Sequence, residues 1–271
     1  MSETWIQKLE NFEQQYQVCV GIDPIPEKMA TYAPSLDLKD WCQLIVESTL
    51  NETNIYKFQI AYFEEWGIEG HIALKQILEF IQKKFPEKIL IGDGKRSDIG
   101  STAQAYANSM YSYWGFDVAT INPYLGTDSI LPFAYQRGAL VICKTSNVSS
   151  KEIQNLQTKN EDKMIYQEVA EIVSKCNIEG NLGLVVGATF PDDMKKIRAA
   201  DDKIPFLIPG LGHQEGDIEL TLKSAHGNGF NMISSSRSIL FPDKGLDEYH
   251  SLKYSEAIEQ SLKKFKSEII K

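Results

Sequence analysis

Short apolar, β-branched runs recur along the chain at 18–22, 55–58, 89–91, 118–121, 140–143, 182–186, 206–208 and 230–233. Each has the length and composition of a buried strand. Between them lie stretches whose apolar residues fall three and four apart, as one face of a helix requires. These predict helices over 38–50, 71–84, 98–114, 162–176 and 217–226, and a last one from about 246 to 270. A further helix is predicted near 4–16, ahead of the first strand. Strand–helix alternation with no break in composition predicts a single (β/α)8 TIM barrel domain over residues 1–271, with an additional N-terminal helix. A doubly wound open sheet is the alternative, but no GxGxxG follows the first strand.

Barrel enzymes carry their chemistry at the C-terminal ends of the strands, so those positions form the candidate set. They are Asp23 after the first strand, Lys57 and Gln59 after the second, and Asp93, Lys95 and Asp98 after the third. Asn122 follows the fourth, and Lys144, Ser146 and Asn147 the fifth. Pro209, Gly210, Gly212 and Gln214 follow the seventh, and Ser234, Ser235, Ser236 and Arg237 the eighth.

The densest of these is Gly92-Asp93-Gly94-Lys95-Arg96-Ser97-Asp98. Residues two apart in a strand share a face about 7 Å apart, so Asp93 and Lys95 are expected to aim together past the strand end. Asp98 is expected as the N-cap of the next helix. The plainer reading of this segment is a solvated turn with a capping acid and a surface ion pair. With Lys57 on the adjacent strand, the charges form an alternating string, Lys57, Asp93, Lys95 and Asp98. A lysine between carboxylates stays protonated, which suits proton donation and charge stabilisation better than Schiff-base formation. Such a site fits a reaction that develops negative charge on carbon, and decarboxylation is one. Across the mouth, the glycine turn at 209–214 and Arg237 have the makings of a phosphate grip.

Composition narrows the partners. A net charge of -9 and a pI near 5.1 argue against a nucleic-acid backbone. The four cysteines are scattered with no CxxC pair, and the four histidines lack metal-ligand spacing. No signal pattern opens the chain and no run approaches the ~18 apolar residues of a membrane span, so the cytoplasm is the expected compartment.

Taken in order and spacing, these segments resemble the orotidine 5'-phosphate decarboxylase family, in its bacterial type 2 branch. The resemblance rests on Asp93, Lys95 and Asp98 as D-x-K-x-x-D, on Gly21-Ile22-Asp23-Pro24 and Lys57-Phe58-Gln59, and on Asn122-Pro123-Tyr124-Leu125-Gly126. It continues through Lys144-Thr145-Ser146-Asn147, Pro209-Gly210-Leu211-Gly212-x-Gln214 and Ser236-Arg237. It implies a carboxy-lyase (EC 4.1.1.23) that converts orotidine 5'-monophosphate to uridine 5'-monophosphate and CO2, the last step of de novo UMP biosynthesis, with no metal or organic cofactor. Lys95 would protonate C6 within the Lys57/Asp93/Lys95/Asp98 network. Asp23 and Lys57 would contact the ribose hydroxyls, and Ser146 the pyrimidine. Gln214 and Arg237 would hold the phosphate, with Pro209 at that end and backbone N–H groups near Gly212 and Ser236. A homodimer is implied, with Asp98 and Thr102 reaching into the partner's site. Two positions depart from the family's pattern: Glu215 and Ser236 stand where glycine is common. A sister barrel that uses Mg2+ would need a second acid where Lys57 stands.

Overall fold

The structure, a computed structural model, describes residues 3–159, 163–211, 217–243 and 252–270. All eight apolar runs form strands: β1 (Tyr16–Ile22), β2 (Ile55–Gln59), β3 (Ile89–Arg96), β4 (Val118–Ile121), β5 (Ala139–Lys144), β6 (Leu182–Val186), β7 (Phe206–Pro209) and β8 (Asn231–Ser235). They pair in parallel in chain order, and β1 closes on β8, giving the expected (β/α)8 barrel. Strands buried on both faces explain why the runs read as continuously apolar rather than alternating.

Two apolar layers result. The larger lies between strands and helices and includes Val20, Phe58, Phe116 and Phe206. The smaller fills the barrel itself, with Cys19, Ile55, Ile89, Val118, Leu140 and Leu207. Trp5 and Leu9 from the N-terminal helix complete that inner layer and stopper the lower end. Inward positions thus run from apolar at the bottom to polar at the top: Ile55, Lys57 and Gln59 on β2, and Ile89, Ile91 and Asp93 on β3, with Gln59 in register with Asp93. Among the described residues, the polar mouth is the end of this interior open to a substrate, because the other is packed with Trp5 and Leu9.

Several helices match expectation closely, including Leu38–Thr49 and Ile218–Ala225, each with an aspartate (Asp37, Asp217) accepting a backbone N–H as its cap. Others differ. The N-terminal helix spans only Trp5–Glu10, because Tyr16 is taken up by pairing with Asn231. The third-strand helix starts at Gly100 and widens into a π-helical turn at Ser109–Tyr113. The helix Gly67–Lys84 begins four residues earlier than its apolar spacing suggested. The last helix is described from Tyr254 to Ile269, and its expected start lies in 244–251, outside the described residues. Helices Pro26–Tyr32, Ile60–Glu65 and Pro191–Ala200 were not expected. No described helix is long and apolar enough to cross a membrane.

Candidate active site

A cavity of about 930 Å3 opens at the C-terminal ends of the strands, and Asp23, Lys57, Asp93, Lys95, Ser146 and Arg237 all line it. A second hollow, of about 870 Å3, lies along Gln14–Tyr16, Asp217–Leu222 and Glu268–Ile270 and holds none of the expected site residues.

Asp93 is the centre of the mouth. Its Oδ2 accepts from Lys57 Nζ at 3.1 Å and from Gln59 Nε2 at 3.3 Å. Its Oδ1 accepts from Lys95 Nζ at 2.8 Å and from Thr120 Oγ1 at 2.7 Å. Burial, the strongest single influence, works against its charge, but Lys57, Lys95 and the hydrogen bonds from Lys95 and Thr120 outweigh it. The carboxyl is therefore held well below the usual carboxylate range and stays ionised. Burial likewise opposes the charge on Lys57, yet Asp93 and then Asp23 reverse it and raise its pKa. The two lysines differ in reach: the Lys57 side chain is 7% exposed and the Lys95 side chain 46%. Lys57 is locked against the acid, and Lys95 presents its ammonium to the open cavity.

The pairing of Asp93 with Lys95 is as expected, but the backbone route to it is not a regular strand. Among the described residues Lys95 is the only non-glycine residue with positive φ, at 46°, and the register between β3 and β4 shifts between Gly92 and Arg96. A left-handed non-glycine residue costs on the order of 1–3 kcal/mol and needs outside support. Thr120 supplies it: its Oγ1 accepts from Lys95 N at 3.0 Å while donating to Asp93. Thr120 is a site residue that sequence reasoning missed, since it sits inside the apolar run Val118–Ile121. Gln59 was noted at its strand end without a role.

Asp98 departs from expectation twice. It does not cap the following helix, whose N-cap is Ile99 with no side-chain bond; Asp98 Oδ1 accepts only from Ile99 N, at 2.8 Å. The chain turns out of the strand through extended backbone at Ile99, which puts Asp98 one position too early to cap. Nor does Asp98 join the charge string of its own chain, as it makes no ion pair with a described residue and does not line the cavity. Thr102 lies exposed on the same helix, also away from the cavity. Ile99 and Tyr106 on the same segment are exposed, as are Tyr124 and Leu125 in the turn after β4.

The remaining expected residues lie around the rim. Asp23 Oδ1 is buried and has no hydrogen-bond partner among the described residues, while Asp23 lines the cavity. Ser146 is half-buried, with its carbonyl accepting from Thr189 Oγ1 at 3.0 Å. Pro209 ends β7, and its carbonyl accepts from Ala188 N at 3.0 Å. Arg237 is exposed and forms no ion pair with a described residue, and Ser236 precedes it at the end of β8. Gly212 and Gln214, with the departure at Glu215, lie outside the described residues. Asn122 turns away from the site and caps Pro123–Leu125 through Tyr124 N. Among the described residues, no three His, Cys, Asp or Glu side chains gather as a metal site would need.

Residues 16–249 match the family model described as "Orotidine 5'-phosphate decarboxylase / HUMPS family". The chain is 38% identical over 248 residues to an orotidine 5'-phosphate decarboxylase of Janthinobacterium sp. (strain Marseille), covering 88% of this chain and 90% of that one. It is 41% identical over 238 residues to that of Cupriavidus metallidurans, covering 85% and 86%. Among solved structures, the OMP decarboxylase of Leishmania donovani superposes with a TM-score of 0.81 at 27% identity, covering 99% of this chain and 100% of that one.

Proposed function

We propose a reaction for this chain from the premise that it belongs to the orotidine 5'-phosphate decarboxylase / HUMPS family. It is an enzyme, a carboxy-lyase that decarboxylates orotidine 5'-monophosphate (OMP) to uridine 5'-monophosphate (UMP) in pyrimidine biosynthesis. To this we add the residue roles, a homodimer, one barrel domain over the whole chain, and a cytoplasmic setting.

The observation that carries the mechanism is a buried carboxylate, Asp93, clamped between two ammonium groups, one sealed in and one facing the cavity. The substrate carboxylate at C6 lies beside Asp93, and like charges at close range raise the energy of the bound substrate. The C6–carboxylate bond breaks, its electron pair stays on C6, and CO2 leaves. The ammonium of Lys95 is already in place to stabilise that carbanion, so little reorganisation is needed as charge develops. Lys95 then gives its proton to C6 and takes another from solvent. Lys57 and Gln59 hold Asp93 in position throughout.

Binding follows from the rim. The unpartnered Asp23 Oδ1 supports a contact with a ribose hydroxyl, shared with Lys57. Ser146 takes the pyrimidine edge. Arg237, exposed and forked, takes the phosphate, with Pro209, Gly212, Gln214 and Ser236 completing that end. Asp98 and Thr102, pointing away from their own cavity, reach the partner's site across a homodimer interface. The test is turnover of OMP by the purified chain, followed by loss of the orotate chromophore with a chelator present. Steady turnover is expected, and none would end this reading.

A further inference from the structure

Lys144 is a fully buried lysine at the end of β5 for which the reaction above has no use. Strand alternation would send it into the barrel with Leu140 and Ile142. The register between β5 and β6 shifts between Ile142 and Lys144, and the side chain turns outward instead. A bulge beside an active site commonly re-aims one side chain in this way. Outside the barrel its Nζ donates to Asn155 Oδ1 at 2.6 Å and to Ser150 Oγ at 3.1 Å. It sits 4.4 Å from the centre of the Phe190 ring and 5.8 Å from that of Tyr166. Its nearest carboxylate, Asp193 Oδ2, is 3.9 Å away, and Asp193 is itself held by the Tyr166 hydroxyl at 3.0 Å.

A desolvated ammonium is costly to maintain, and the loop it holds is the one that carries Ser146. Residues 145–155 form an arch closed at its foot by a reciprocal pair: Gln154 Oε1 accepts from Thr145 N, and Gln154 Nε2 donates to Thr145 Oγ1, both at 2.9 Å. Lys144 is the pin beneath that arch. Ser146 is its inner shoulder, seated so tightly that a Cβ on Gly187 would meet Ser146 N at 2.7 Å. Ser146 and its neighbours Thr145 and Asn147 face the cavity; the pin does not.

We propose that Lys144 is a positioning residue for Ser146, and through it for the heterocycle of the nucleotide. This rests on the reading of Ser146 as the pyrimidine contact. The test compares Lys144→Met, Ser146→Ala and the double variant for kcat/KM with OMP, and for competitive inhibition by UMP and by ribose 5-phosphate. Each single variant is expected to lower kcat/KM about tenfold, with the double variant within about twofold of the worse single, because both remove one interaction. UMP binding should weaken while ribose 5-phosphate binding stays within about twofold. Should Lys144→Met fail to fold, Asn155→Ala withdraws one acceptor from the pin and enters the same cycle. Losses that multiply in the double variant, or equal weakening of both inhibitors, would overturn the proposal while leaving OMP turnover by the unsubstituted chain intact. No turnover by the unsubstituted chain would overturn the parent reading and this one together.

Discussion

At Asp93, four donors converge on one buried carboxylate, and the consequences differ by donor. Replacing Asp93 with alanine strands Lys57, whose largest influence is burial. With both the charge and the hydrogen bond of Asp93 gone, burial is opposed chiefly by Asp23, and the Lys57 pKa is expected to fall below its unfolded value of about 10.4. A lysine depressed in the folded state destabilises it at any pH below that unfolded value, and the penalty shrinks as the group deprotonates. Asp93→Ala should therefore cost about 3 kcal/mol near neutral pH and regain part of it toward about pH 9, by urea unfolding at both. In the unsubstituted protein the sign is opposite for Asp93: its lowered pKa adds stability above the unfolded value of about 3.9, lost as pH falls below it. Thr120→Val removes the hydroxyl that bridges Asp93 and Lys95 N, and should cut kcat roughly tenfold to a hundredfold with KM little changed. Thr120→Ser should restore it; equal kcat in all three proteins would remove Thr120 from the site. Lys57, Asp93 and Lys95 were legible in the sequence because charges at strand ends stand out against apolar runs. Thr120 was not, because a threonine inside a strand reads as ordinary β-branched packing. Asp98 was misread as a cap because Asp before a helical stretch fits that pattern well, and only the backbone at Ile99 decides otherwise.

The strands were legible as elements because burial on both faces writes a continuous apolar run. The helices were less so wherever burial is narrow. Pro191–Ala200 buries only Met194, Ile197 and Arg198, and its five charged residues obscured the spacing, although proline at the first position and Asp192 and Asp193 in the first turn were start signals. The two ends of the strands carry separate duties, and two close-packed glycines test the separation. A Cβ on Gly138, at the lower end, would clash with the Asn181 carbonyl oxygen, where φ is also +106°. A Cβ on Gly187, at the upper end, would press the Ser146 backbone. Gly138→Ala should lower stability by about 2–3 kcal/mol and leave KM within about twofold. Gly187→Ala should raise KM for OMP about tenfold. A KM effect from Gly138→Ala as large as that from Gly187→Ala would contradict the division between a structural bottom and a functional top.

For the whole molecule, one chain holds an acid, two lysines and a rim, yet leaves Asp98 and Thr102 facing away from its own cavity. If each site borrows Asp98 from a partner, Lys95→Ala and Asp98→Ala proteins are each inactive alone. Unfolded and refolded together, they should recover about a quarter of full activity, since half the dimers then carry one intact site. No recovery would mean that sites are not shared. Everything else at this scale depends on what Lys95 does. The most direct measurement is the single-turnover rate on OMP of the unsubstituted and Lys95→Ala proteins, with UMP affinity measured beside it. The rate should fall at least about a thousandfold while UMP affinity stays within about tenfold. A Lys95→Ala protein that still turns over OMP within about tenfold of the unsubstituted chain would contradict Lys95 as the proton donor.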